Sequence, residues 1–501
     1  MKKEVITLLP VVGCAVLVNA VQAKQPDKKP NVIIILADDL GFGDISAYGA
    51  TEIQTPNIDR IANEGVRFSH GYATSATSTP SRFSLLTGRY PWREKAQVLQ
   101  GNAPLIIKED MPTLPKMFKE AGYTTGAVGK WHLGLGNGNV DWNKEIVPGA
   151  REVGFDYSFI TAATNDRVPT VFVENGRVVN LDPNDPIEVS YRKNFPGEPT
   201  GKSNPELLKI HPSHGHDQSI TNGISRIGYM KGGKSALWVD EDMADTFLDK
   251  ATDFVKENKE KPFFLYYALH QPHVPRVPNA RFAGKSSLGP RGDVILEADW
   301  CVGEFLKTLD ELGLSENTIV IFSSDNGPVL DDGYKDQAIE KLGNHKPAGP
   351  LRGGKYSSYD GGTHVAFMIR WPEHIKPGDS DALVCQMDFY ASFAALLGLE
   401  NKTRDGQNIL KALTGKSKKG RELLLLEATG DNVLLREGDW IYIPPMVNQG
   451  YCVPPTEPGR MKVPQLFNVK KDIGQKNNLA EKYPERVARM GEKIKEIRES
   501  K

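Results

Sequence analysis

Four short apolar runs in this chain each end in polar side chains that could bind a metal or transfer a proton. Oxygen ligands follow two of the runs, and Lys or His residues follow the other two: Asp38-Asp39 after residues 32–37, Lys130 and His132 after 124–129, His270 and His273 after 263–269, and Asp325-Asn326 after 318–322. Three carboxylates and one amide suit a hard cation, Ca²⁺ or Mg²⁺. Asp-Asp and Asp-Asn-Gly are also turn formers, so neither pair alone indicates a metal site.

A serine that could act on an anion stands at the start of a predicted helix. Ser78 or Thr79 suits the N-cap, Pro80 the first helical position and Gly88 the end. Backbone N–H groups and the helix dipole favour an anion at such an N-terminus. Arg82, four residues on, falls on the same face and could hold an oxyanion. An ordinary capped helix would have the same local sequence.

The apolar runs predict the elements that must position these side chains. Runs without alternation are typical of strands buried on both faces, as in a parallel sheet. Helical patterns lie between them, at residues 111–121, 241–257 and 294–312. Alternating strands and helices predict an α/β sandwich with a mostly parallel sheet. Ligands of such sheets bind beyond the carboxyl ends of the strands, so we expect all four clusters to form one site.

Composition restricts the possible classes. The chain has 501 residues, a formal net charge of −1 and 39% hydrophobic residues, which is ordinary for a globular protein. We expect no nucleic-acid partner and, beyond the N-terminus, no transmembrane segment. Residues 137–233 are rich in Gly, Pro, Asn and Asp and are predicted to form a long insertion near the site. We predict a catalytic domain at 24–379 and a smaller C-terminal α+β unit at 380–501, with strands near 423–426 and 440–443 and a final helix at 481–500.

The N-terminus has the pattern of a secretory signal. A basic start, an apolar run from Val5 to Val18 and small residues before Lys24 predict a signal peptide at 1–23, cleaved after Ala23. This pattern predicts a secreted or periplasmic protein. A lipoprotein with a lipidated Cys14 is the alternative. Cys301, Cys385 and Cys452 are expected to be buried free thiols, although one bridge among them is open.

The segment around Ser78 resembles the signature of a known enzyme family. The run Ser78-x-Pro80-Ser81-Arg82-x-x-x-Leu86-Thr87-Gly88-Arg89 is similar to that of the formylglycine-dependent sulfatases, including bacterial Ser-type glycan sulfatases. The resemblance implies an alkaline-phosphatase-like fold, with a large mostly parallel sheet between helices and a smaller C-terminal subdomain with a short antiparallel sheet. It also implies that a radical-type maturating enzyme oxidises Ser78 to 3-oxoalanine (formylglycine).

The resemblance assigns roles to the clusters. Asp38, Asp39, Asp325 and Asn326, with modified Ser78, would hold one Ca²⁺. Arg82, Lys130 and, in Leu351-Arg352-Gly353-Gly354-Lys355, Lys355 would bind the sulfate group. His132 would act as a base, His273 would protonate the leaving oxygen, and His270 would be structural or peripheral.

Substrate choice is expected to depend on the insertion. The candidates are Asp166 and Arg167 in residues 164–169, His214 and His216 in 211–217, and His364, which stands where many family members have Arg. We expect sugar contacts there rather than zinc, with a solvated loop as the alternative. The expected substrate is a sulfated glycan, desulfated in an exo manner at galactose- or hexosamine-sulfate ends of mucin-type or glycosaminoglycan chains. A phosphohydrolase of the same superfamily and a non-catalytic glycan-binding homologue are the alternative functions.

Overall fold

A single large sheet runs through the computed structural model, which describes residues 28–446 and 450–500. The predicted signal peptide and Cys14 lie outside these residues. The strands are β1 Asn31–Ala37, β2 Gly65–Tyr72, β3 Thr124–Lys130, β4 Tyr157–Thr161, β5 Phe172–Glu174, β6 Arg177–Val178, β7 Glu188–Ser190, β8 Ile220–Thr221, β9 Ile224–Ser225, β10 Tyr229–Lys231, β11 Phe263–Ala268, β12 Thr318–Ser324, β13 Phe367–Arg370, β14 Gly378–Cys385, β15 Leu423–Glu427, β16 Val433–Glu437, β17 Trp440–Ile443 and β18 Gln465–Asn468.

Helices cover the sheet and connect its strands. They are α1 Pro56–Asn63, α2 Ser78–Thr87, α3 Leu114–Glu120, α4 Ala150–Val153, α5 Met243–Asn258, α6 Gly289–Glu311, α7 Phe389–Leu397, α8 Leu410–Leu413 and α9 Pro484–Glu499. Short 3₁₀ turns occupy Phe42–Asp44, Ser46–Tyr48, Pro91–Glu94, Pro205–Leu207, Lys234–Ala236, Asp240–Asp242, Ser315–Asn317, Asp360–Gly362 and Gln386–Asp388.

The large sheet has ten strands in the order β14-β2-β13-β12-β1-β11-β3-β4-β5-β6. Neighbours from β12 to β4 are parallel, and β13, β5 and β6 add antiparallel pairs. The four strands predicted from apolar runs, β1, β3, β11 and β12, are adjacent. Their carboxyl ends therefore share one edge of the sheet, as predicted.

The sequence of strand β1 does not alternate between apolar and polar residues because both faces of the strand are buried. All its residues are buried, and successive side chains enter different cores. Val32, Ile34 and Leu36 pack with residues of α2, α3 and α7, while Ile33 and Ile35 pack with residues of α1, α5 and α6. Because both faces are covered, each position favours an apolar residue. The predicted α/β class with a large mostly parallel sheet is confirmed.

The insertion at 137–233 contains more regular structure than its composition indicated. Strand β4 pairs with β3, and β5 and β6 continue the large sheet outward. Only the later part of the insertion is loop-rich, with two small two-stranded antiparallel sheets, β7 with β10 and β8 with β9. Strands this short give too little periodicity to be recognised within Gly- and Pro-rich sequence.

The C-terminal unit is a four-stranded antiparallel sheet, β15-β16-β17-β18, followed by α9. A small C-terminal antiparallel sheet is confirmed. The predicted boundary at 380, however, falls inside β14, which pairs with β2 in the large sheet. Phe389 and Phe393 of α7 also belong to the main core. The separate sheet begins at Leu423, some forty residues later than expected because β14 and α7 cover an edge of the main body.

Two further expectations concern the membrane and the thiols. Among the residues that the structure describes, no helix combines the length and apolarity needed to cross a bilayer. Cys301 and Cys385 are buried free thiols, and Cys452 is a partly buried free thiol. The expectation of free thiols is confirmed, with Cys452 less buried than expected.

Candidate active site

The polar clusters meet at the carboxyl edge of β12, β1, β11 and β3, together with the first turn of α2. Two of the residues there have left-handed backbone angles: Asp39 has φ 63° and His132 has φ 56°. Non-glycine residues adopt this conformation at some cost in energy, and they cluster at functional sites. The turns after β1 and β3 therefore direct specific side chains at the expense of backbone strain.

Three buried carboxylates and one amide surround the Ser78 hydroxyl. Ser78 Oγ lies 3.4 Å from Asp38 Oδ1 and 3.5 Å from Asn326 Oδ1. The Asn326 amide donates to Asp39 Oδ1 at 2.7 Å, and the Asp39 backbone N–H donates to Asp325 Oδ1 at 3.2 Å. All five side chains are at most 3% exposed. The five predicted metal-site residues are thus brought together.

The charge of this cluster fits a bound cation. Burial raises the pKa of Asp38 to about 8, against the opposing charge of Lys130. Asp38 Oδ2 is buried and has no hydrogen-bond partner. Asp38 and Asp39 also form, with His273, the one group of three possible metal ligands found among residues 28–446 and 450–500. Since a hard cation would satisfy the free oxygen and keep the carboxylates ionised, these residues suit Ca²⁺ or Mg²⁺.

Arg82 clamps the carboxylates rather than facing open space. Its guanidinium binds Asp325 Oδ2 through Nε at 2.9 Å and Nη2 at 2.8 Å, and Nη2 is 3.8 Å from Asp38 Oδ1. Burial favours a neutral Asp325, but Arg82 and Lys130 hold the pKa of its carboxyl below the usual value. The predicted placement of Arg82 near Ser78 is correct. Its direct partner, however, is the metal-site carboxylate.

Helix α2 begins at Ser78, with Thr77 at the N-cap position. The sequence indicated Ser78 or Thr79 as the N-cap, and this prediction is wrong by one or two residues. Lys130 Nζ donates to Ser78 Oγ at 2.8 Å and to Asp38 Oδ1 at 2.6 Å. A buried ammonium group this close to the hydroxyl would stabilise negative charge on a group held there.

His132 presents an unpaired ring nitrogen. Its Nε2 is 2.9 Å from the Leu99 carbonyl oxygen, which can only accept, so Nε2 carries the proton. Nδ1 is buried without a partner. Burial, aided by the charge of Lys130, holds the pKa of His132 well below its usual value. The neutral ring therefore has a free lone pair at Nδ1 that could accept a proton.

His273 points its other nitrogen into the same space. Its Nδ1–H donates to the Val274 carbonyl at 2.6 Å, and Nε2 lies 3.8 Å from Asp39 Oδ2. Burial, together with Lys355, holds the pKa of His273 well below its usual value. A bound anion would favour the protonated ring and so make Nε2–H a proton donor. His270, by contrast, is buried beside Phe247 and lies outside the cavity lining.

Asp332 is a site residue that the sequence analysis missed. Lys355 Nζ lies between Asp39 Oδ2 and Asp332 Oδ2, 2.8 Å from each. The Tyr356 hydroxyl donates to the same Asp332 carboxylate at 2.9 Å. Burial alone would lower the pKa of Lys355, but the two carboxylates raise it well above its usual value. Asp331-Asp332-Gly333 has the composition of a turn, and its only signal was its place after the strand that carries Asp325.

A buried ion pair from the insertion forms another wall. His216 Nε2 is 2.9 Å from Asp166 Oδ2, and its Nδ1 is 3.0 Å from the His214 carbonyl. Because both ring nitrogens face oxygen acceptors, the surroundings favour the doubly protonated imidazolium form of His216. Burial opposes this charge, but Asp166 raises the pKa of His216 above its usual value. Arg167 Nη1 donates to Asp166 Oδ1 at 2.9 Å.

Two of the residues predicted to contact substrate remain, His214 at the rim of the cavity and His364 outside it. His214 is exposed and lines the cavity. His364 is buried and lies outside the cavity lining, with Nδ1 2.8 Å from Asp360 Oδ2 and Nε2 2.8 Å from the Ser69 carbonyl. The expectation that His364 contacts substrate is therefore wrong. In the part of the chain that the structure describes, the histidines at 211–217 do not form a group of three possible metal ligands.

These groups line one cavity of about 600 Å³. Ser78, His132, His273 and Lys355 form its inner end. The insertion forms one wall through Asp166, Arg167, His214, Gly215, His216 and Gln218. Asp332 and Tyr356 also line the cavity, and the C-terminal unit forms part of the mouth through Glu427–Gly430 and Tyr451. A cavity with convergent cations, a metal-binding cluster, a base and an acid suits hydrolysis of a charged ester.

Comparison with known proteins gives one consistent family. The family model described as Sulfatase matches residues 30–399. The N-acetylgalactosamine-6-O-sulfatase of Bacteroides thetaiotaomicron is 52% identical over 509 residues, covering 99% of each chain. The N-acetylgalactosamine-6-sulfatase of Rattus norvegicus is 31% identical over 423 residues, covering 81% of this chain and 69% of that one. A solved 6S-sulfatase structure, described for glycosaminoglycan metabolism in Bacteroides thetaiotaomicron, superposes with a TM-score of 0.92 at 53% identity and covers 94% of this chain and 99% of its own.

The metal cluster predicts stabilisation by calcium. At a free Ca²⁺ concentration of 100 times Kd, binding to the folded state alone should add about 2.7 kcal/mol. Thermal unfolding should therefore shift upward with Ca²⁺ and return with a chelator. Asp325→Asn should lose most of this shift, and Asp331→Asn, a nearby control outside the cluster, should keep it. An equal shift in both variants would contradict the assignment.

Asp332 is predicted to stabilise the cavity wall. Asp332→Ala removes the acceptor of two buried donors, on Lys355 and Tyr356, and each unsatisfied donor costs about 1–3 kcal/mol. We expect a clear fall in the free energy of unfolding, measured with denaturant. Asp331→Ala is the matched control, since Asp331 is more exposed and accepts from Ser213 Oγ and the Gly333 backbone N–H rather than from Lys355 or Tyr356. Similar stability of both variants would contradict this role.

Proposed function

The chain belongs to the sulfatase family, and from this we propose that it removes the 6-O-sulfate of N-acetylgalactosamine at the end of a glycan. It is a sulfuric ester hydrolase that acts on sulfated carbohydrate. Its 52% identity to an N-acetylgalactosamine-6-O-sulfatase, which extends over 99% of each chain, supports the proposed sugar and the proposed position of the sulfate. The observation that carries the chemistry is Ser78, held at 2.8 Å from Lys130 Nζ beside three buried carboxylates.

The nucleophile in this proposal is residue 78 after oxidation to formylglycine. Formylglycine supplies, as its hydrate, a hydroxyl that can attack sulfur and a carbonyl that can re-form, which an unmodified serine lacks. Ca²⁺ held by Asp38, Asp39, Asp325 and Asn326 would supply positive charge beside the nucleophilic oxygen and the sulfate. Arg82 acts through Asp325, keeping that carboxylate ionised and oriented.

The chain's own cations and histidines complete the reaction. Lys130 and Lys355 hold the sulfuryl oxygens and stabilise their charge. As the bond between sulfur and the sugar oxygen breaks, His273 Nε2–H gives its proton to the departing oxygen. The attacking hydroxyl of the residue 78 hydrate would lose its proton to solvent. His132 Nδ1 would then take the proton of the second hydroxyl as the bond between the residue 78 carbon and the sulfate oxygen breaks, so that the carbonyl re-forms and sulfate leaves. Water would rehydrate the carbonyl for the next turnover. The net reaction consumes one water and yields the free sugar hydroxyl and inorganic sulfate.

The sugar itself is proposed to bind the insertion wall. Asp166, Arg167 and His216 offer charged acceptors and donors that are already paired with one another, so they are rigid before substrate binds. Rigid polar groups of this kind suit recognition of sugar hydroxyls, because a sugar lacking the matching hydroxyl leaves them unpaired. His214 lies at the rim, where it would contact the outer part of the substrate.

The proposal also includes the protein's location and maturation. The signal sequence at 1–23 supports secretion or a periplasmic location, with lipidation at Cys14 as the alternative. A radical-type maturating enzyme is the proposed partner that acts on Ser78 before the chain folds, because Ser78 is only 3% exposed in the folded structure. A phosphohydrolase is disfavoured because, within the described residues, no second group of metal ligands accompanies the first.

The decisive experiment compares sulfate positions. Maturation is first checked by mass spectrometry, in which the peptide that contains residue 78 should be lighter by two hydrogen atoms. The matured enzyme should release sulfate from N-acetylgalactosamine 6-sulfate and should act far more slowly on the 4-sulfate and on a phosphate ester. Ser78→Ala should abolish turnover, whereas Ser84→Ala, a buried serine of the same helix, should retain it. His273→Ala should lower kcat by about 10²–10⁴-fold. Matured enzyme that is inactive on the 6-sulfate would contradict the proposal, and binding without desulfation would favour a glycan-binding protein.

The His216–Asp166 pair predicts a pH dependence of KM. Because the pKa of His216 is raised in the folded protein, its ion pair is complete below the ordinary histidine pKa of about 6.5 and is lost as pH rises through the raised value. KM should therefore rise on the alkaline side. His216→Gln should have a high KM with little of this pH dependence, and His211→Gln, an exposed histidine of the same loop, should behave like the wild type. An unchanged profile in His216→Gln would contradict the role.

A further inference from the structure

The mouth of the cavity carries apolar surface that the proposed reaction does not use. Large apolar side chains that are strongly exposed are few in the described residues, and two of them line this one cavity: Val98, 42% exposed, and Tyr451, 53% exposed. Scattered exposed apolar residues are ordinary, but their convergence at the mouth of a polar site indicates a binding surface. We propose that Tyr451 and Val98 form a second sugar subsite, which packs against the pyranose attached to the sulfated sugar.

The Tyr451 ring has a rigid support. It packs edge-on against Tyr356, with ring centroids 4.9 Å apart and planes at 90°. The Tyr356 hydroxyl donates to Asp332, and Asp332 binds Lys355 at the inner end. The aromatic mouth is therefore linked through two side chains to the sulfate-binding lysine. This short path places the mouth next to the sulfated sugar, where the next sugar of a chain would lie.

The backbone around Tyr451 is also held. Its carbonyl accepts from Thr429 Oγ1 at 2.8 Å and from Arg460 Nη2 at 3.2 Å, and Arg460 Nη1 donates to Thr429 Oγ1 at 2.8 Å. Across the mouth, Gln97 Nε2 donates to Asp431 Oδ1 at 3.3 Å, which joins the segment of Val98 to the C-terminal unit. Both apolar surfaces are thus carried by anchored segments, as preformed ligand sites require.

The occupant follows from the direction of the glycan. With the sulfate at the closed inner end, a terminal sugar can extend only toward the mouth, so its anomeric oxygen carries the neighbouring sugar past Tyr451. A pyranose has an apolar face of C–H groups, and a half-exposed tyrosine ring complements it. Tyrosine provides large contact area with little loss of conformational entropy. The subsite thus explains why the C-terminal unit contributes to a cavity whose chemistry lies in the main domain.

This inference rests on the proposed function and is tested by comparing substrate lengths. The substrates are 6-sulfated N-acetylgalactosamine as a monosaccharide and a disaccharide in which a second sugar is attached to its anomeric oxygen. Wild-type enzyme should have the higher kcat/KM on the disaccharide. Tyr451→Ala should lower that value by about tenfold, chiefly through KM, as the loss of one aromatic contact would. On the monosaccharide it should change the value by less than about twofold.

Matched variants separate the subsite from a folding effect. Tyr451→Phe keeps the ring and should retain the preference for the disaccharide. Tyr483→Ala removes another exposed tyrosine of the C-terminal unit, one outside the cavity lining. It should leave kcat/KM unchanged on both substrates. The desulfated disaccharide should inhibit the wild type more strongly than it inhibits Tyr451→Ala.

Equal losses on both substrates in Tyr451→Ala, or a wild type without preference for the disaccharide, would overturn the subsite while leaving the proposed sulfatase reaction intact. Failure of matured wild-type enzyme on both substrates would overturn the proposed substrate and the subsite with it.

Discussion

The site depends on holding three buried carboxylates together in one place. Asp38, Asp39 and Asp325 are at most 1% exposed. Burial favours the neutral forms of Asp38 and Asp325, which nearby positive charges oppose. The charge is balanced by Arg82, Lys130 and Lys355, whose nitrogen atoms lie within 2.6–2.9 Å of a carboxylate oxygen. Removing one partner of a buried pair is costly, so each cation and each carboxylate constrains the others.

This balance determines how distant parts of the chain are assembled. Arg82 ties helix α2 to the end of β12, Lys130 ties β3 to β1, and Lys355 ties a late loop to β1. The strain of the left-handed Asp39 and His132 is compatible with a stable fold because β1 and β3 lie in the middle of a sheet that is packed on both faces. A rigid core thus holds the reacting groups in place.

Recognition lies in elements that are joined to the same balance. Asp332 extends it from Lys355 to Tyr356, and the next residue, Gly333, lies against His216 so closely that a Cβ there would fall 1.9 Å from Nδ1. With φ 120°, glycine is the residue that permits this approach. One loop therefore connects the sulfate end, the ion pair of the insertion and the aromatic mouth, which gives sugar recognition a direct structural link to the chemistry.

The sequence by itself determined the centre of the sheet, the helices between its strands and the set of groups at its edge. Buried parallel strands have unbroken apolar runs, and the family signature around Ser78 is dense enough to identify the reaction class. The periphery was less predictable: the short strands β4–β6, β16 and β18 carry little periodicity, and β14 has the composition of a boundary. Only the tertiary structure decided which atoms meet. It turned Arg82 toward Asp325, buried His364 against Asp360, and brought Asp332 and Tyr451 into the cavity. These outcomes depend on side-chain direction and on contacts between residues far apart in the chain, and local sequence patterns carry no information about either.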